Sequence, residues 1–253
     1  MKRMVCASVL LALTGCGGGG NGSEFDGATV YTSDSESSAN RTGPDGIWTG
    51  TEYDVQTGAS YEVVALASAS GEFRIIGLGR AAQQIGNLTH NNQALGGGVT
   101  YFYSNPYGDV NSSTASSNAT LSGSFTAQKT LNLNVEFPSG AISRLALAYD
   151  SRYDTPASLT TVAGTYSNDS LSLTFNGTEL YGQDTQGCVY AGKVSIPQAQ
   201  HNLYKLTVEL SNCAGLNGNY TGMATLRQIS PTTNQLIYQL NNGYSAINGN
   251  LAE

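Results

Sequence analysis

Residues able to do covalent chemistry are few in this chain, and their spacing does not suit it. His90 lies in Thr89-His90-Asn91-Asn92 and His201 in Gln200-His201-Asn202. Both read as loop or turn positions, and neither has a neighbour placed to make it a general base. Asp109, Glu136, Asp150, Asp154 and Asp184 are candidates for an acid–base pair on a sugar, yet no spacing singles out two of them. Two cysteines (Cys188 and Cys213) and two distant histidines lack the paired spacing of a metal site. No Gly-x-Ser-x-Gly elbow, calcium loop or phosphate-cradling glycine loop is present. The expectation is a chain with no catalytic residue, no metal and no cofactor. What remains is recognition. Tyr101, Phe102 and Tyr103, followed by Tyr107, form the densest aromatic cluster. Tyr101 and Tyr103 share one strand face. Exposed, they could stack on sugar rings or anchor a protein partner; buried, they form a cross-strand aromatic pair.

The N-terminus gives location. Met1-Lys2-Arg3-Met4 is basic, and Val5 to Leu13 is an apolar run too short to span a bilayer, which takes about 20 residues. The run ends in Leu13-Thr14-Gly15-Cys16. This tetrapeptide resembles the lipobox of bacterial lipoproteins. The resemblance covers the first 16 residues and implies that 1–15 is a cleaved signal and that Cys16 carries lipid as the new N-terminus. Several acyl chains would then anchor the protein to a membrane, each adding about 0.8 kcal/mol per buried CH₂. In that family an Asp after the Cys commonly retains the protein in the inner membrane. Gly17 stands there and points to the outer membrane.

The same resemblance sorts the cysteines. Of four, Cys6 leaves with the signal and Cys16 takes lipid. Cys188 and Cys213 are left as a pair in an oxidising compartment, where a disulfide is expected. Cleavage also removes Lys2 and Arg3, taking the side-chain charge from −7 to −9. That balance argues against nucleic acid, which needs clustered Lys and Arg.

Residues 16–45 read as the lipidated Cys and a flexible Gly/Ser-rich tether, too poor in apolar residues to offset its ordering entropy. After the turn at Gly43-Pro44-Asp45-Gly46 the apolar period becomes two. Leu131, Leu133, Val135 and Phe137 alternate with polar residues, as do Leu171, Leu173 and Phe175, and Tyr204, Leu206, Val208 and Leu210. Ala127-Gln128-Lys129 and Asn176-Gly177 read as hairpin turns. Less regular strands are expected near 47–54, 60–68, 72–79, 84–90, 97–103, 142–149, 188–196, 218–227 and 235–241. One short helix is suggested at 79–85 by Arg80-Ala81-Ala82-Gln83-Gln84. The pattern predicts an all-β fold, an antiparallel barrel or sandwich with one apolar face and one wet face.

Gly46-Ile47-Trp48-Thr49-Gly50 recurs as Gly218-Asn219-Tyr220-Thr221-Gly222, with a shorter echo at Gly164-Thr165-Tyr166-Ser167. These echoes support two related β subdomains, 46–150 and 158–253. Gly46-x-Trp48 resembles the opening strand of lipocalin-like barrels. The tether followed by Gly-rich strands is similar in outline to Gram-negative surface lipoproteins of the factor-H-binding and transferrin-binding types. No motif transfers those families' ligand contacts. Asn168-Asp169-Ser170-Leu171 resembles the Gly-Asp-Ser-Leu block of an esterase family, but Asn replaces Gly and the late Asp-x-x-His is missing. The leading expectation is an outer-membrane lipoprotein with a non-catalytic β-rich module for an unknown protein or glycan ligand. The alternatives are a periplasmic inhibitor or immunity-type lipoprotein and, after it, a carbohydrate-active enzyme.

Overall fold

A computed structural model describes residues 41–78, 82–103, 111–113 and 115–253. The signal segment, Cys16, residues 17–40 of the tether, Tyr107 and Asp109 lie outside them. Alternation in sequence becomes alternation in burial. Leu131, Leu133 and Val135 are at most 2% exposed, while Asn132, Asn134 and Glu136 on the same strand face water. Burying each such aliphatic side chain contributes about 1.5–3 kcal/mol. That preference fixes which face of each strand turns inward.

The strands form two antiparallel barrels. The first is closed, in the order β1 (Gly46–Asp54), β2 (Ser60–Ala67), β3 (Glu72–Gly77), β4 (Gln83–Asn91), β5 (Ala94–Tyr103), β7 (Ala115–Thr126), β8 (Thr130–Glu136) and β9 (Ile142–Asp150). Strand β1 closes it by pairing with both β2 and β9. The second runs through β10 (Gly164–Ser167), β11 (Leu171–Asn176), β12 (Glu179–Asp184), β13 (Val189–Ser195), β14 (Tyr204–Ser211), β15 (Gly218–Ser230), β16 (Thr233–Asn241) and β17 (Ala246–Ala252). Its seam is narrow: β10 meets β17 at Ser167 and Ala252. Beside it, β6 (Asn111–Ser113), which belongs in sequence to the first barrel, pairs with Ala246–Asn248 of β17. A 3-10 turn at Ser151–Asp154 and a one-turn helix α1 (Leu159–Val162), capped by Ser158 Oγ accepting from Thr161 N at 2.9 Å, link the barrels.

Both interiors are filled. Trp48, Phe73, Leu121 and Leu133 pack the first; Tyr166, Tyr190, Tyr204, Tyr220 and Tyr238 join aliphatics in the second. The apolar faces point inward and Asn, Thr, Lys and Glu point out, the reverse of a lipid-facing barrel. The irregular strands have their own explanation. Val63 to Ala67 are all buried, as are Phe73 to Gly77. Their outward residues (Val64, Leu66 and Ile76, with Ile47) meet Leu203, Met223 and Ile237 of the second barrel. Strands covered on both faces lose their alternation. Arg74, also buried, donates to Asn241 Oδ1 at 3.0 Å across this contact.

Three expectations change in detail. The suggested helix at 79–85 is not one from residue 83 on: Gln83, Gln84 and Ile85 lie in β4. Gln83 and Gln84 are both 1% exposed there, so tertiary placement overrides helical propensity. The hairpin turn after β11 centres one residue later, on Gly177-Thr178, with Gly177 at φ 59°. And the shorter echo is the one that opens the second barrel: Gly164-x-Tyr166 begins β10, whereas Gly218-x-Tyr220 begins β15.

Candidate functional site

Inward faces run the length of each strand, so the residues that continue them past the core arrive at the barrel's ends. At one end of the first barrel Trp48 closes the interior. Its ring lies edge-on to Tyr149 at 5.3 Å, and its Nε1 donates to Pro44 O at 2.9 Å. Arg41 covers this end. It donates to Asp154 at 2.6 Å and to Tyr149 Oη, and lies 4.6 Å over the Tyr153 ring. Burial, ahead of the opposing effect of Arg41, pushes the Tyr149 hydroxyl up to about 12. Tyr153 in turn stacks on His201, centroids 4.3 Å apart and planes at 8°. His201 is therefore a buried loop residue, 6% exposed, held below its ordinary value by burial and by Arg41. This end is a structural seal.

The other end is open. On the face of β1 that carries Trp48 and Gly50, Glu52 comes next and then Asp54. Tyr61 precedes Val63 on the inner face of β2, and Tyr101 and Tyr103 follow Val99 on that of β5. Together with Phe137, these residues line a cavity of about 420 Å³ in the mouth of the first barrel. Glu52 is 3% exposed and accepts from Gln84 Nε2 at 2.8 Å and from Ser143 Oγ at 2.6 Å. Asp54 is fixed by its own turn, accepting from the backbone N–H groups of Gln56 and Thr57 at 2.9 and 3.1 Å. The Tyr101 ring stacks near Tyr103 (6.4 Å, 26°) and stands edge-on to Phe137 (5.1 Å, 87°). Tyr103 is 47% exposed and Tyr61 37%. The lining contains two carboxylates and no Lys, Arg or His among the described residues.

Tyr101 and Tyr103 thus stand together, neither buried in the core nor isolated on the surface. Glu52, Asp54, Tyr61 and Phe137 join them without having been singled out in sequence. The signal for Glu52 was its parity: an acid two places beyond Gly50 on the face that begins with Trp48. Of the remaining described candidates, Glu136 faces water and the others have structural places. Cys188 and Cys213 form a disulfide. Asp184 accepts from the backbone N–H groups of Gln186 and Cys188, both at 2.9 Å. Asp150 pairs with Arg152; burial raises its pKa, and the bonds from Arg152 outweigh this and hold it low. Ser170 donates its N–H to Asn168 Oδ1 at 2.9 Å at the entry to β11. His90 is not a loop residue as expected: it lies in β4, paired with Leu95 of β5, its ring edge-on to Phe125 at 5.6 Å. Among the described residues no three His, Cys, Asp or Glu side chains gather as metal ligands.

No protein-family model matches this chain, and no curated protein matches it. Among solved structures, a Bacteroides fragilis NCTC 9343 chain provisionally assigned to the outer membrane is similar at 13% identity and a TM-score of 0.32. The match covers 82% of this chain and 95% of that one.

Proposed function

We propose that this chain is a lipid-anchored protein of the bacterial outer membrane whose first barrel binds a small molecule at its mouth without transforming it. The observation behind the binding reading is the cavity of about 420 Å³ walled by Tyr61, Tyr101, Tyr103 and Phe137, with Glu52 buried beside it. Ligand sites are typically concave, apolar and aromatic-lined, with a few fixed polar groups, and barrel mouths are a recurrent location. The location reading rests on Leu13-Thr14-Gly15-Cys16 and Gly17.

A carbohydrate-active reading is weaker on geometry. Glu52 and Asp54 are neighbours on one face of β1, not opposed across the cavity as a glycosidase pair is. Both are already engaged, Glu52 by side chains and Asp54 by its turn. The binding reading is tested by isolating the full chain and its Tyr101→Ala/Tyr103→Ala variant from cell envelopes and comparing retained small molecules by native mass spectrometry. Retention by the parent and loss from the variant is expected; equal retention counts against the mouth. For the anchor, Cys16→Ser is expected to leave the membrane fraction, and continued membrane association refutes it.

A further inference from the structure

We infer that the ligand of the first barrel's mouth is a neutral sugar, a pyranose ring that lies on tyrosine and is held through its hydroxyls by side-chain amide and hydroxyl groups. This rests on the binding reading of the same cavity and names the class of ligand. A pyranose has two chemically different parts. One is a patch of C–H groups on the ring face, which packs against the negative face of an aromatic ring. The other is a girdle of hydroxyls, each able both to donate and to accept.

The lining offers a counterpart to each. Tyr101 and Tyr103 on β5 stand with their rings 6.4 Å apart and 26° from parallel, and Phe137 props Tyr101 edge-on at 5.1 Å. Tyr103 is 47% exposed at this platform. In the closed strand order β5 and β1 lie on opposite sides of the barrel, so a sugar on the tyrosines sits between them and the polar groups across the mouth. Those groups already have their bonding directions fixed. Gln56, in the turn after β1, accepts at Oε1 from Ile142 N at 3.2 Å, which leaves its Nε2 to donate. Ser139 Oγ accepts from Ala141 N at 3.4 Å and keeps its O–H to donate. Ser143, on β9, donates its hydroxyl to Glu52 at 2.6 Å, so its oxygen presents lone pairs. Ser117, on β7 opposite Tyr101, donates to Asn118 O at 3.4 Å and likewise presents lone pairs. Donors and acceptors around one aromatic platform match a sugar's girdle. A wholly apolar ligand would cover these groups without pairing them, which costs affinity. A ligand without an apolar face would leave the rings unused.

The test is saturation-transfer NMR on the full chain, with the tyrosine ring signals followed in parallel, in a polyoxyethylene detergent that carries no sugar. The probes are methyl β-glucoside, methyl β-galactoside and methyl N-acetyl-β-glucosaminide, with benzyl alcohol and benzyltrimethylammonium for comparison. At least one glycoside is expected to move the Tyr101 and Tyr103 signals, to receive saturation mainly on one ring face, and to bind about fivefold or more tightly than either comparison compound. Gln56→Ala, at an exposed position, should weaken that glycoside about fivefold, as loss of one hydrogen bond does. Tyr103→Leu should weaken it about tenfold, while Tyr103→Phe, which keeps the ring, stays close to the parent. All three variants should keep the parent's thermal midpoint. The sugar is overturned if no glycoside moves the two signals, if a comparison compound binds as tightly, or if neither Gln56→Ala nor Tyr103→Leu changes the glycoside's affinity. The binding reading then stands wherever another probe or an envelope extract moves those signals. If nothing moves them, both fall.

Discussion

His201 shows how a residue suited to chemistry becomes part of a seal. Its ring lies flat against Tyr153, over which Arg41 also lies. Burial and Arg41 lower its pKa from 6.5, so the folded chain resists a proton that the unfolded chain accepts. Stability from this site is therefore complete above about pH 6.5 and declines as pH falls below it. Urea midpoints measured between pH 7.5 and 5 should decrease, and His201→Gln should flatten that part of the slope; an unchanged slope contradicts the account. The second residue-scale prediction concerns Cys188–Cys213, 25 residues apart in sequence. Opening a loop of that length costs on the order of 3 kcal/mol in the chain-entropy model. Cys188→Ser/Cys213→Ser should lower the denaturation free energy by about that amount. At this scale, sequence parity located the thiol pair and the Tyr101–Tyr103 face. Glu52 escaped notice because a lone acid on a surface-looking strand gives no sign that its face leads into a barrel.

At the scale of elements, glycine sets how closely strands can cross. Gly222 on β15 lies against β16 so tightly that a Cβ would sit 1.8 Å from Gln239 O, and at Gly123 on β7 it would sit 2.1 Å from Asn132 O. Neither obstacle is a side chain that could rotate away. Gly222→Ala is expected to destabilise by about 1–3 kcal/mol, as overpacking does, read as a lowered thermal midpoint. The elements that alternate cleanly, such as β8 and β14, were legible because one face meets water. Strand β17 was not. Its Asn248-Gly249-Asn250 has the composition of a turn, yet Asn248 reaches Gly77 O and the Tyr238 ring lies over Gly249. Those contacts come from distant parts of the chain and leave no local pattern.

For the whole molecule, the contact between barrels should couple their unfolding. Ile47, Val64, Leu66 and Ile76 on one side and Leu203, Met223 and Ile237 on the other are all buried. Trp48, the single tryptophan, reports on the first barrel, and the buried tyrosines report chiefly on the second. The two signals should trace one coincident transition in denaturant. Ile237→Asp places an unpaired charge in the contact and should split that transition in two; coincident curves for this variant would mean that the barrels are not joined through this face. The all-β class was legible from period two; of the Gly-x-aromatic echoes, Gly164-x-Tyr166 stands where the second barrel begins and Gly218-x-Tyr220 stands within it. The docking of the barrels was not, because it appears in sequence only as strands that fail to alternate.

The most direct measurement on the central claim is a tyrosine-ring NMR titration of the full chain with a small-molecule extract of the cell envelope. Ligand at the mouth of the first barrel predicts movement of the Tyr61, Tyr101 and Tyr103 signals while Tyr190, Tyr204, Tyr220 and Tyr238, sealed inside the second barrel, stay in place. Signals that do not move at all, or that move only for the second barrel, would contradict it.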